Sequence, residues 1–172
     1  LRATTDTLSV TFHASVRKPF RRSRIGLVVL HPADLAGRPL TVTSPSGDRT
    51  ETRFRTDLAP EQPAVDIAGL AWSSDGLATE LAFTGEVFEM EDQRNWTDAS
   101  FKTYSTPLWL PFPVLVEAGH EVHQTVVIRC TRVAEVSLTD TGRRSGRPCA
   151  TASARGDRKP SSTAVRAHTS PS

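Results

Sequence analysis

Leu8-Ser9-Val10-Thr11-Phe12-His13-Ala14-Ser15-Val16 places an apolar residue at every second position. Side chains of an extended chain point alternately to opposite faces, so this stretch is a half-buried β-strand. The same period returns at Val122, Gln124, Val126, Ile128 and Cys130, with His123, Thr125, Val127 and Arg129 on the other face. Between these two runs lie further short strands. Ile25 to Leu30 is a continuous apolar run, read as a strand buried on both faces. Leu40 and Val42 precede the turn Ser44-Pro45-Ser46-Gly47-Asp48, and the polar run Arg49 to Arg55 returns from it as an edge strand. Val65 to Trp72 reads as one strand, Asp75-Gly76 as a tight hairpin turn, and Leu77 to Phe83 as the return. Three prolines, Pro107, Pro111 and Pro113, exclude a central strand there because each lacks an N–H. No capped helix with a 3.6 period occurs. The fold class is therefore all-β, an antiparallel β-sandwich.

At 172 residues the chain is long enough for one domain with a real core. Residues 1–137 carry the strands. Residues 138–172 change character: from Thr139 onward Val165 is the one large apolar residue. From Thr139 onward seven Arg and Lys face two Asp, a net of +5, leaving 14 basic and 17 acidic residues before it, a net of −3. Such a tail cannot bury enough surface to offset chain entropy and is expected to be disordered. Its abrupt onset points to an out-of-frame end; reading the other frames past Leu138 and finding no continuation of the domain would refute that. The overall +2 averages two unlike parts, and the tail lacks aromatics to stack on bases, so no nucleic-acid partner is implied. No apolar run approaches the length of a membrane span, and no signal peptide is visible, which makes the cytoplasm the default location. Cys130 reads as a core residue; Cys149 lies in the tail, and two cysteines make no disulfide framework.

The densest polar segment is Gly85 to Tyr104. Four carboxylates, Glu86, Glu89, Glu91 and Asp92, fall within seven residues, and Arg94, Asn95, Trp96, Asp98 and Lys102 follow. Three readings stay open. Paired carboxylates can act as acid and base when their environments differ. Crowded oxygens can hold a hard cation, although the spaced ligands and glycine of a calcium loop are missing. The bland reading is a structural network, with Arg94 forking onto two carboxylates, Asn95 holding a turn and Trp96 covering the pair. The candidate functional patch is Glu89, Glu91, Asp92, Arg94, Asn95, Trp96 and Asp98. Catalytic residues are not assigned, and neither a metal nor a cofactor is expected. His31 is read as a hydrogen-bonded core residue. His120 and His123 lack partners at metal spacing. Asn95-Trp96-Thr97 matches the glycosylation sequon, which matters only in a secreted protein.

Glu86 to Tyr104, followed by Thr106-Pro107-Leu108, closely resembles the signature of the D-apionate lactonase family. Arg24 to Pro32, Ala36 to Leu40, Pro63 to Ile67 and Ala118 to Gln124 look like the same family's amino-terminal domain. The resemblance covers Leu8 to Arg132. It implies a β-rich domain placed ahead of a (β/α)8 barrel, which would be this chain's partner. It also implies hydrolysis of the lactone of the sugar acid D-apionate in bacterial apiose catabolism. No βα repeats occur here, so the chain is expected to be a fragment without the barrel and inactive alone. The alternative is a carbohydrate-binding or structural β-sandwich module, with Trp72, Trp96 or Trp109 stacking on a sugar.

Overall fold

The computed structural model describes residues 1–58, 60–133 and, as backbone, 164–169. Among the described residues the strands run in the order β1 (Arg2–Ala3), β2 (Thr7–Ser15), β3 (Phe20–Arg22), β4 (Ile25–Pro32), β5 (Pro39–Thr43), β6 (Arg49–Arg53), β7 (Ala64–Ile67), β8 (Gly69–Ser74), β9 (Leu77–Thr84), β10 (Phe88–Asp92), β11 (Ser100–Tyr104), β12 (Val114–Val116), β13 (Glu121–Arg132) and β14 (Ala164–Thr169). Among the described residues the helical pieces are two single 3-10 turns, Ala33–Leu35 and Gln93–Trp96.

Two antiparallel sheets face each other. The larger has the order β1-β2-β13-β9-β8-β5-β6, and the smaller β14-β4-β11-β10-β7. The two alternating runs that betray the fold are hydrogen-bonded neighbours: Leu8 opposes Ile128 and Ala14 opposes Val122 across nine residue pairs of β2 and β13. Their apolar faces meet Leu27 and Val29 of β4, Phe88 and Met90 of β10 and Phe101 of β11 from the other sheet. Aromatic rings fill one end of this interior. Phe54 packs on Trp72 at 5.7 Å and 90° and on Phe101 at 5.2 Å, and His31 stands edge-on to Trp72 at 5.3 Å.

One polar residue ties the sheets together. Gln124 of β13 is completely buried; its Oε1 accepts from the Leu27 N–H at 2.9 Å, and its Nε2 donates to the Ile25 carbonyl at 3.3 Å and to Glu86 Oε2 at 3.2 Å. Gly26 lies against that amide with φ +149°, and a Cβ there would overlap it. Gly26→Ala is therefore expected to cost about 2 kcal/mol through overpacking and lost hydrogen bonds. Urea denaturation measures it. Gln124→Ala should destabilise by a similar amount, and the double variant by clearly less than the sum, because both changes break one clasp. Strict additivity would show that the clasp does not exist.

Several expectations need correction. Val65 to Trp72 is two strands in two sheets: β7 joins the small sheet and β8 the large one, with the switch at Ala68, whose N–H donates to the Thr43 carbonyl at 2.8 Å. The period of two slips at the switch: Ala64 and Ile67, then Leu70 and Trp72, are buried, with Asp66 at φ +52° before it. β4 is buried on its inner face at Leu27 and Val29, but Val28 and Leu30 are half-exposed. Cys130 is exposed: it keeps the inward register of β13 but lies beyond the last core layer. Trp72 is 7% exposed in the core and cannot stack on a sugar. The turn at Asp75-Gly76, the edge strand β6 and the hairpin β5–β6 match expectation.

Of the stretch 138–172 read as disordered, most falls outside the described residues. Within it Ala164–Thr169 is described, as a backbone strand paired with β4 from Ala164 opposite Leu30 to Thr169 opposite Ile25. β4 would otherwise present an unpaired row of N–H and C=O groups, and such an edge recruits any extended segment that reaches it. The short ribbon of β3 and β12, outside both sheets, also went unforeseen.

Candidate functional site

The polar stretch folds as a hairpin, β10 and β11, closed by the 3-10 turn Gln93–Trp96. Asp92 caps that turn, accepting from the Arg94 N–H at 3.1 Å, and Thr97 ends it with φ +66°. Strand alternation then divides the carboxylates between two faces. Phe88, Met90 and Asp92 point inward, whereas Glu89 and Glu91 stand on the outer face.

On the outer face the register sets Glu89 opposite Tyr104 and Glu91 opposite Lys102. Lys102 Nζ meets Glu91 Oε2 at 2.9 Å, with both side chains about a quarter exposed. Glu89 is 1% exposed, and its Oε1 accepts from the Tyr104 hydroxyl and, at 2.6 Å, from the Leu108 N–H. Burial, together with the neighbouring carboxylates of Glu89 and Glu91, pushes the Tyr104 phenol well above its ordinary value. It is a fixed donor under all physiological conditions. Glu89 thereby pins the proline-rich loop onto the sheet. Arg24 lies over the Tyr104 ring at 5.1 Å and the Phe112 ring at 5.7 Å. A cavity of about 420 Å³ opens beside them, bounded by Arg24, Val28, Leu30, Asp98, Lys102 and Tyr104.

On the other side Asp92, fully buried, receives Arg94 as a fork, Nε at 2.8 Å and Nη2 at 2.7 Å. Asp92 raises the Arg94 guanidinium above its ordinary value. Arg94 Nη2 also donates to the Arg55 carbonyl at 2.8 Å, and the guanidinium stacks on Phe101 at 4.6 Å. Arg94 thus takes one carboxylate rather than two, because Glu89 and Glu91 are on the opposite face. Trp96 does not cover the pair. It is 72% exposed at the hairpin tip with Asn95 and Asp98, and Phe101 covers the pair instead.

Glu86 completes the network, accepting from Ser105 Oγ at 2.6 Å, with Arg22 Nη2 at 4.0 Å. His31 is completely buried and shares a 2.7 Å hydrogen bond from Nε2 with Thr103 Oγ1, as read from the sequence. Its Nδ1 has no partner among the described residues. Burial lowers its pKa to about 3.

The seven predicted residues therefore split three ways: Glu89 and Glu91 outside, Asp92 and Arg94 inside, Asn95, Trp96 and Asp98 at the tip. Tyr104, Lys102, Glu86, Gln124 and Arg24 belong to the network and were not in that set. The alternation of Lys102 and Tyr104 against Glu91 and Glu89 was a signal for two of them; Gln124 and Arg24 come from distant sequence and had none. Among the described residues no three His, Cys, Asp or Glu side chains gather in a way that could hold a metal ion.

Comparison with known proteins places these features in a context. A family model described as D-apionate lactonase, N-terminal domain, matches residues 1–133. The D-apionate lactonase of Brucella anthropi is 36% identical over 134 residues, covering 77% of this chain and 22% of that relative. The chain thus spans about a fifth of the length of this curated relative.

Proposed function

Given that the chain belongs to the D-apionate lactonase N-terminal domain family, we propose that it is the non-catalytic β-sandwich of a lactonase. In longer members it would stand beside a (β/α)8 barrel that opens the lactone of D-apionate during apiose breakdown in the cytoplasm. Water adds to the lactone carbonyl, the ring oxygen leaves as a hydroxyl, and the product is the open sugar acid. The observation carrying this reading is that every carboxylate from Glu86 to Asp92 is already engaged inside the domain: Glu86 by Ser105 and Gln124, Glu89 by Tyr104 and Leu108, Glu91 by Lys102, Asp92 by Arg94. A general base must reach a proton on the substrate or its water, and these oxygens are turned to scaffold contacts.

The test is a titration of acid released from D-apionolactone. The 172-residue chain should release none above buffer. A chimera carrying its residues 1–133 in place of the matched segment of the Brucella anthropi relative should turn the lactone over. Turnover by the chain alone would overturn the reading.

One observation favours a second reading, sugar binding: Trp96 is exposed on the hairpin whose Asp98 and Lys102 border the outer cavity. Calorimetric titration with apiose and apionate decides it, and absence of binding heat removes it.

A further inference from the structure

The ribbon of β3 and β12 is the least self-sufficient part of the molecule. It pairs only three residues on each strand, Phe20 with Val116, Arg21 with Leu115 and Arg22 with Val114. A two-stranded ribbon is at best marginal in water unless something packs on it. Inward it has Val116 and the anchor from Arg22 Nη1 to Thr106 Oγ1 at 2.7 Å. Outward, Arg21 and Leu115 are exposed among the described residues. Among the described residues, Leu115 stands on the outer face of the ribbon beside Arg21, Phe20 and Val114 are partly exposed at the margin of the inner face, and Trp109 and Phe112, 62% and 54% exposed, lie on the loop leading into β12. Single exposed apolar residues mean little, but five within one short ribbon and the loop that feeds it mark a candidate interaction surface.

The group has a charged border of one sign. Arg17, Lys18, Arg21, Arg22 and Arg24 fall within eight residues, and over 17–24 and 107–117 the one acid is Glu117. Arg17, Lys18 and Arg21 are exposed. Arg22 approaches Glu86 at 4.0 Å, while Arg24 is held by two aromatic rings and the Thr106 carbonyl at 3.2 Å. An aromatic centre with a cationic rim is the anatomy of a specific interface, and it fits an apolar surface edged with carboxylates.

We propose that this ribbon-and-loop face docks the domain onto the remainder of the lactonase polypeptide. This rests on the function proposed above, and it names the surface that does the positioning. The occupant follows from length: the domain corresponds to 22% of the relative, so nearly four-fifths of that protein lies outside it and is available to cover the face.

Hydroxyl-radical footprinting read by mass spectrometry tests the proposal, comparing this chain with the chimera described above. Trp109 and Phe112 should be oxidised about tenfold less in the chimera, as befits residues at the dry centre of an interface. Trp96, at the hairpin tip and outside the ribbon and its loop, should react equally in both. Equal reactivity of Trp109 in the two proteins would overturn the proposal. Leu115→Arg should leave the unfolding midpoint of the chain unchanged and lower that of the chimera; no change in either overturns it too. Lactone hydrolysis is read separately. An active chimera with open Trp109 keeps the function and sinks the interface, and an inactive one with shielded Trp109 does the reverse. A lipid surface is the competing occupant, and co-sedimentation of the chain with phosphatidylserine vesicles at 150 mM salt, on the order of physiological ionic strength, would decide for it instead.

Discussion

Asp92→Ala lowers the stability of the domain by about 3 kcal/mol, the lower end of what breaking a buried ion pair costs. The reason is what stays behind. Arg94 is 16% exposed, and its fork is aimed at an aspartate that has no exposure at all. Without Asp92 the guanidinium keeps only the Arg55 carbonyl and the Phe101 ring. The cap on the 3-10 turn is lost as well, because the same carboxylate accepts from the Arg94 N–H. Asp92→Asn keeps an acceptor for that N–H and should cost less. The double variant Asp92→Ala, Arg94→Leu should recover a large part of the loss, since removing both charges leaves no uncompensated cation. Urea unfolding of the three variants is the measurement. If Asp92→Ala lost less than about 1 kcal/mol, the value of an exposed pair, the buried-fork picture would be wrong.

Acid is the second large effect, and His31 is its source. The imidazole is neutral in the folded domain because burial lowers its pKa to about 3. Charging it would make both nitrogens donors, and Nδ1 faces no acceptor among the described residues. In the unfolded chain the ring titrates at its ordinary value, near 6.5. Between those two values the unfolded state binds the extra proton, so stability falls as pH falls. The contribution is fully present above about pH 6.5 and is lost progressively below it, by about 3 kcal/mol at pH 4. His31→Gln, which has no such proton to bind, is the comparison. Unfolding free energies at pH 7, 5.5 and 4 should fall more steeply for the natural sequence. Parallel pH profiles would show that some other group carries the acid sensitivity. Exposed carboxylates shift both curves alike and cancel in the difference.

These two effects also show where reading the sequence succeeds. Alternation at Leu8–Val16 and Val122–Cys130 marks β2 and β13 because a strand's side-chain period is a local property. Glu89 and Glu91 opposite to Met90 and Asp92 follows from the same rule. His31 as a hydrogen-bonded core residue was legible because it ends an apolar run whose neighbours are buried.

The partners of those residues were not legible. That Arg94 reaches Asp92 alone, stacks on Phe101 and leaves Trp96 in solvent depends on how β11 registers against β10 and on where Arg55 passes. The split of residues 64–74 between two sheets and the exposure of Cys130 depend on where each sheet ends.

By itself, the sequence determined that this protein is an all-β sandwich of the lactonase N-terminal type and that Gly85–Tyr104 is its densest polar segment. Only the tertiary structure decided that the hairpin's carboxylates are spent on Tyr104, Lys102, Arg94 and Gln124. The physical reason is range. Periodicity and turn chemistry act over a few residues, whereas satisfying a buried charge or covering an apolar ribbon joins residues as far apart as Leu27 and Gln124.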